Sequence, residues 1–213
     1  IAQFYVSPRE GGGDRLSAVL DGIQTAAARG VRVRILVDAK FARKYPKPLE
    51  RLKAVSGIEL RKLSLKSSTG GVLHAKYFLV DHHDFYLGSQ NFDWRSLEHI
   101  QELGARVRSR VLGQDVLRVF ESDWERAAGK SVSGSPKIKL QSDTLDFDGR
   151  DAIVQIVATP RKLLPTGIGY ELDAMRQALL GARRSVNLQL LSYAIKGYDG
   201  ELWTEMDALL RTT

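Results

Sequence analysis

The chain has 213 residues, above the roughly 100–150 of a typical single domain, so one large or two modest domains fit its length. Apolar residues make up 43% and charged residues 27%, a globular balance that excludes a disordered or fibrous chain, and no run of about 18 apolar residues offers a membrane span. Cysteine is absent, which excludes a disulfide scaffold and thiolate metal sites and is compatible with a reducing compartment, while the net charge of +7 favours anionic partners.

Residues 1–6 (Ile-Ala-Gln-Phe-Tyr-Val) read as a strand already under way at the first position. A glycine-rich loop follows, and Asp14 is placed to cap a helix whose apolar positions are Leu16, Val19, Leu20 and Ile23, ending at Gly30. Residues 31–38 predict a buried strand, 48–55 a helix and 58–63 another strand. Residues 73–80 and 85–87 predict two strands around a polar turn, 104–107 a further strand and 113–128 a helix. This alternation predicts an α/β fold, a layered mixed β-sheet flanked by helices, over residues 1–128.

Residues 129–150 are rich in Ser, Gly, Lys and Asp and lack a firm period, which predicts a linker. A second unit, 151–213, begins with an amphipathic helix through Glu171, Met175, Leu179 and Leu180, a strand at 186–191, and a tail helix from Glu201 carrying Trp203 and Met206. An offset of 186 residues superposes Gln3 on Gln189, Leu16 on Leu202, Leu20 on Met206, Asp21 on Asp207 and Ile23 on Leu209, the pattern of an internal repeat. The opening in mid-strand and the close inside a helix lead us to expect a piece of a longer chain, which leaves targeting and localisation open.

The chemistry concentrates in residues 72–104. On a predicted strand, His74 and Lys76 leave the same face about 6.6–7 Å apart, room for a phosphate between a nucleophilic imidazole and a neutralising ammonium. Ser89 and Asn91, after Gly88, supply neutral donors suited to phosphate oxygens. Glu102 offers a carboxylate to fix the imidazole tautomer. Taken singly, each has an ordinary explanation: a histidine satisfied in the fold, a solvated lysine, a Gly-Ser turn.

Together they spell H-x-K-x4-D-x6-G-S-x-N at His74, Lys76, Asp81, Gly88, Ser89 and Asn91. This resembles the signature of the phospholipase D superfamily. The resemblance implies that His74 is the nucleophile or the general acid of a phosphohistidine mechanism and that Lys76 binds phosphate. It further implies that Asp81 supports the site by hydrogen bonding, that Ser89 and Asn91 hold the phosphate, and that Glu102 orients the histidine, with no metal or other cofactor required. The stretches Asp93-Trp94-Arg95-Ser96-Leu97 and Glu102-Leu103-Gly104 look like the group of endolysosomal single-strand 5′-exonucleases and poxvirus envelope phospholipase-like proteins. Cardiolipin synthases share a looser version. The family site takes two such motifs, and the 186-residue offset puts a second histidine near position 260, so the second half of the same chain or a second copy is the implied partner.

Other features carry less. His82-His83-Asp84 reads as a turn, because neighbouring side chains on extended backbone point apart and nothing nearby completes a tetrahedral metal set. His99 reads as a surface neighbour of the site. Residues 29–66 hold twelve Lys or Arg against Asp38, Glu50 and Glu59, either a phosphate-tracking surface or a solvated face. Only Phe41 and Tyr45 interleave them, a weak signal for base stacking. The leading expectation is a phosphodiester hydrolase or transferase acting on phospholipid headgroups. The alternatives are a single-strand nucleic-acid exonuclease of the same family and a non-catalytic binding protein retaining the fold.

Overall fold

The computed structural model describes residues 1–11, 13–132, 139–190, 193–196, 202 and 204–212. Contacts divide them into one compact unit of residues 1–156 with 165–167, and a second of residues 157–164 with 168–213.

In the first unit the opening segment forms two short strands, β1 (Ala2–Gln3) and β2 (Val6–Ser7), rather than one. Helix α1 (Arg15–Ala28) begins where expected: Asp14 Oδ1 accepts the Ser17 N–H at 2.9 Å and its Oδ2 accepts that of Arg9 at 2.8 Å. Then come β3 (Val33–Asp38), α2 (Ala39–Lys44), α3 (Pro46–Lys53), β4 (Ile58–Leu63) and a single turn α4 (Lys66–Thr69). Proline at the first helical position starts α3 two residues earlier than the apolar period alone suggests. The unit continues through β5 (Tyr77–Val80), β6 (Asp84–Gly88), β7 (Phe92–Asp93), α5 (Trp94–Glu98), β8 (Gly104–Arg108) and α6 (Arg110–Ala127), the last capped by Ser109.

Six strands form a mixed sheet in the order β4-β3-β1-β5-β6-β8, with β1, β3 and β4 parallel and β5, β6 and β8 antiparallel to their neighbours. Alternation along β3 serves both faces. Val33, Ile35 and Val37 join Leu16 and Leu20 of α1 and Leu49 and Leu52 of α3 in the main core. From the other face Arg34 reaches α6, where it pairs bidentately with Glu121 at 2.6 and 2.9 Å and covers Phe120. Arg61 lies over Trp124 at 4.2 Å and donates to its carbonyl oxygen at 2.7 Å. Two of the twelve cations between 29 and 66 therefore hold α6 to the sheet, while Arg29, Arg32, Lys40, Arg43, Lys44, Lys47, Arg51, Lys53, Lys62 and Lys66 are exposed.

The turn between β5 and β6 is the expected one: Asp81 and His82 have φ of 47° and 60°, the positive values of a tight hairpin turn. Gly113 of α6 packs so closely on this turn that a Cβ there would meet the His82 carbonyl. A hairpin of β9 (Asp143–Phe147) and β10 (Arg150–Val154) occupies the end of the expected linker and straddles its join at 150/151. Asp148 and Gly149, both at positive φ, make its turn, a signal hidden by the polar composition around it.

The second unit pairs β11 (Val157–Ala158) with β12 (Gly169–Tyr170), followed by α7 (Glu171–Leu180) and α8 (Glu205–Thr212). Residues 186–190 form no strand, because none of their backbone groups finds a ladder partner among the described residues, and Leu191 lies outside those residues. Gln189, the repeat counterpart of β1, is accordingly not in a strand, whereas Met206, Asp207 and Leu209 do fall on a helix as their counterparts do. Glu201 and Trp203 lie outside the described residues.

Candidate active site at one end of the central sheet

The strand expected to carry His74 and Lys76 begins only at Tyr77. Lys76 still offers its carbonyl to the Gly88 N–H at 3.1 Å, in register with the β5–β6 ladder, but before it the Leu73 N–H turns away to Asp38 Oδ2 at 3.0 Å. Residues 71–76 are therefore irregular, and the two side chains do not project in parallel. Lys76 folds back instead: its Nζ donates to the His74 carbonyl oxygen at 2.6 Å and lies 2.8 Å from Nδ1 and 3.1 Å from Nε2 of the ring.

Lys76 is only 5% exposed. Burial lowers its ammonium from 10.5 to about 8, and the Glu102 carboxylate works against that fall. The His74 imidazole is held below its ordinary 6.5, first by desolvation and then by the Lys76 charge. Both causes of that fall favour the neutral imidazole, the form that can attack phosphorus, and the ring meets the Lys76 side chain at 2.8 Å. Its ring packs on Phe4, 4.6 Å between centroids, which limits its rotation.

Gly88 brings the second segment in. A Cβ at this position would stand 3.0 Å from the Leu103 carbonyl oxygen and 3.1 Å from the Gly104 Cα, so any side chain here pushes β6 and β8 apart by a few tenths of an ångström. Ser89 is pinned to the other side of that closure: its N–H donates to the Leu103 carbonyl at 2.9 Å, and its Oγ accepts the Leu103 N–H at 3.0 Å. Glu102, next in line, is half-buried and acts on Lys76 through its field. Asn91 has a buried Oδ1 with no hydrogen-bond partner among the described residues. Turning the amide over places the donor Nδ2 at the same buried point.

His74, Lys76, Ser89 and Glu102 thus gather at one end of the sheet. Asp81 does not join them. It sits in the β5–β6 turn, five residues of chain beyond Lys76 and so about 16 Å away along the strand. His99 is exposed, edge-on to Trp94 at 5.2 Å between centroids.

Two groups of supporting residues went unread in the sequence. Asp38, 2% exposed at the end of β3, caps α2 through the Lys40 and Phe41 N–H groups (2.9 and 3.1 Å) and holds Leu73, the residue before His74. An acid closing a buried strand just before a helix was the available signal. Phe4 and Tyr5, about seventy positions upstream of His74, had no local signal; Gln3, 2% exposed beside them, accepts the Phe92 N–H at 3.2 Å.

The family model described as "Cardiolipin synthase, PLD-like domain" matches residues 1–124. The chain is 32% identical over 211 residues to 5'-3' exonuclease PLD3 of Bos taurus, covering 91% of this chain and 42% of that protein. It is 30% identical over 185 residues to 5'-3' exonuclease PLD4 of Mus musculus, covering 83% and 37%. The chain therefore spans less than half the length of these relatives. Among solved structures, NucT from Helicobacter pylori superposes with a TM-score of 0.52 at 18% identity, over 59% of this chain and 77% of that one, a likeness of fold alone. With the family model spanning more than half of it and six motif residues in register, the chain belongs to the PLD-like domain family of the phospholipase D superfamily.

Proposed function

We propose that the residues around His74 form one half of a phosphodiesterase site that cleaves single-stranded nucleic acid, completed by the remainder of a longer chain or by a second copy. The observation that carries this reading is the contact of the His74 ring with the buried Lys76 side chain, 2.8 Å from Nδ1 to Nζ. A phosphodiester entering here takes Lys76 as its counter-ion, which frees the imidazole lone pair. The His74 nitrogen then attacks phosphorus: a P–N bond forms, the P–O bond to the leaving group breaks, and that oxygen takes a proton from an acid of the completing half. Water next attacks phosphorus, the P–N bond breaks, and the displaced proton passes to the same group, now a base. Splitting one displacement into two is the advantage of a covalent intermediate. Lys76 and the Asn91 amide are donors for the phosphate oxygens, and the Ser89 hydroxyl joins them by leaving the Leu103 carbonyl oxygen to which it donates at 3.3 Å.

The likeness to proteins named 5'-3' exonucleases supports nucleic acid ahead of the phospholipid headgroup that leads in the sequence reading. The phospholipid reading keeps one observation in its favour, the description of the matched family model as a cardiolipin synthase domain. A side-by-side assay of the intact protein on a labelled single-stranded oligonucleotide and on phosphatidylglycerol vesicles separates them. Oligonucleotide cleavage without headgroup release is expected; headgroup release alone reverses the assignment. A protein inactive on both, with no second H-x-K near position 260, is instead a binding protein that retains the fold.

A further inference from the structure

Beside His74 the fold assembles a row of rings that the sequence scatters over seventy positions. Phe4, 9% exposed, forms its floor, with ring centroids 4.6 Å from His74, 4.1 Å from Phe41 and 5.4 Å from Tyr5. Tyr5 stacks on Phe41 at 5.7 Å and 21°, and lies 5.3 Å from Tyr45 at 30°. Tyr5, Phe41 and Tyr45 are half-buried, so their rings retain open surface next to the exposed His74. Two lysines lie over its rings and an arginine adjoins it. Lys40 Nζ is 5.9 Å from the Phe41 ring, Lys44 Nζ is 5.3 Å from that of Tyr45, and Arg95, held by the fully buried Asp93, reaches the Tyr5 phenol.

We propose that Tyr5, Phe41 and Tyr45 are a stacking platform for the nucleobases adjoining the scissile phosphate, with Lys40, Lys44 and Arg95 following the backbone. The inference deepens the reading of His74 and Lys76 as a phosphate site and rests on it. Two features decide for bases over acyl chains. The half-buried rings leave aromatic surface for flat ligands, and the exposed Lys40 and Lys44, which lie over the Phe41 and Tyr45 rings, can swing from those rings to the phosphates of a stacked strand. Continuity with the His74 ring through Phe4 sets the platform one step from the reacting phosphorus.

The test is binding by the intact protein carrying His74→Ala, which keeps the ligand whole, to an oligothymidylate and to an abasic oligomer with the same number of phosphates. Thymidylate binding about tenfold tighter is expected from stacking. Tyr45→Leu and Phe41→Leu should each remove most of that preference, and Tyr45→Trp should keep it, which guards against a merely misfolded variant. An unchanged preference in both leucine variants, no preference at the outset, or equal losses on both ligands would overturn the platform. If it falls while the protein with His74 restored still hydrolyses bis(p-nitrophenyl) phosphate, and His74→Ala does not, only the platform is lost. If that hydrolysis does not depend on His74, the site reading falls with it.

Discussion

The carboxylate of Asp38 accepts the backbone N–H of Leu73 at 3.0 Å and thereby fixes the residue that precedes His74. Its other oxygen caps α2, so one buried acid sets both the start of that helix and the approach of the motif chain. Asp38→Ala removes a helix cap and leaves a buried N–H unpaired, with an expected cost of about 2–4 kcal/mol. Chemical denaturation checks it. Asp38→Asn retains one acceptor and should lose less stability while lowering kcat more than it raises KM, because His74 is displaced and not removed.

Lys76 is retained against the stability of the fold. Its native pKa of about 8 lies below 10.5, so between those values the unfolded chain binds more protons and stability rises with pH. Below pH 8 the whole penalty of the buried cation is present. Lys76→Met should therefore raise the melting temperature at pH 7 by about 2–4 °C, the shift expected of roughly 1 kcal/mol, while abolishing turnover. A thermal melt of variant and parent at pH 7 and pH 10.5 checks both sign and window: the gain should shrink at the higher pH.

The same two groups bound the pH profile of catalysis. On the proposed mechanism His74 must be neutral to attack, and its pKa is held below 6.5, so more than half of the maximal activity should be present at pH 6.5. The alkaline limb should fall near pH 8 as Lys76 gives up its proton. A kcat/KM profile from pH 4.5 to pH 9.5 tests this, and Lys76→Arg should move the alkaline limb upward.

Lys40 and Lys44 are exposed beside the aromatic row and make no ion pair among the described residues. Replacing either with Ala should weaken oligonucleotide binding uniformly across sequences and reduce the salt slope by about 1. Arg34→Ala should leave the slope unchanged and lower stability instead, because its guanidinium is engaged by Glu121.

What was legible in the sequence was local. The Asp14 cap, the α1 period and the β5–β6 turn depend on residues within a few positions of one another, and the spacing from His74 to Asn91 spells a pattern without any structure. The strand at 73–80 was misread at its start because side-chain alternation cannot reveal that Leu73 bonds to a carboxylate thirty-five residues away. The cations of β3 and β4 read alike, yet Arg34 and Arg61 face α6 while Lys62 faces solvent, a distinction made by sheet packing alone. The aromatic row was invisible for the same reason: Phe4 and Tyr5 meet Phe41 and Tyr45 only because β1 lies between β3 and β5.

The central claim is that His74 carries phosphodiester cleavage on a single nucleic-acid strand. Its most direct test is the rate at which the intact protein and its His74→Ala variant cleave a labelled single-stranded oligonucleotide under single-turnover conditions. A loss of at least about a thousandfold, with the melting temperature unchanged, is the predicted result, being the scale on which a covalent route outruns its absence. Cleavage by the variant within about tenfold of the parent would contradict it.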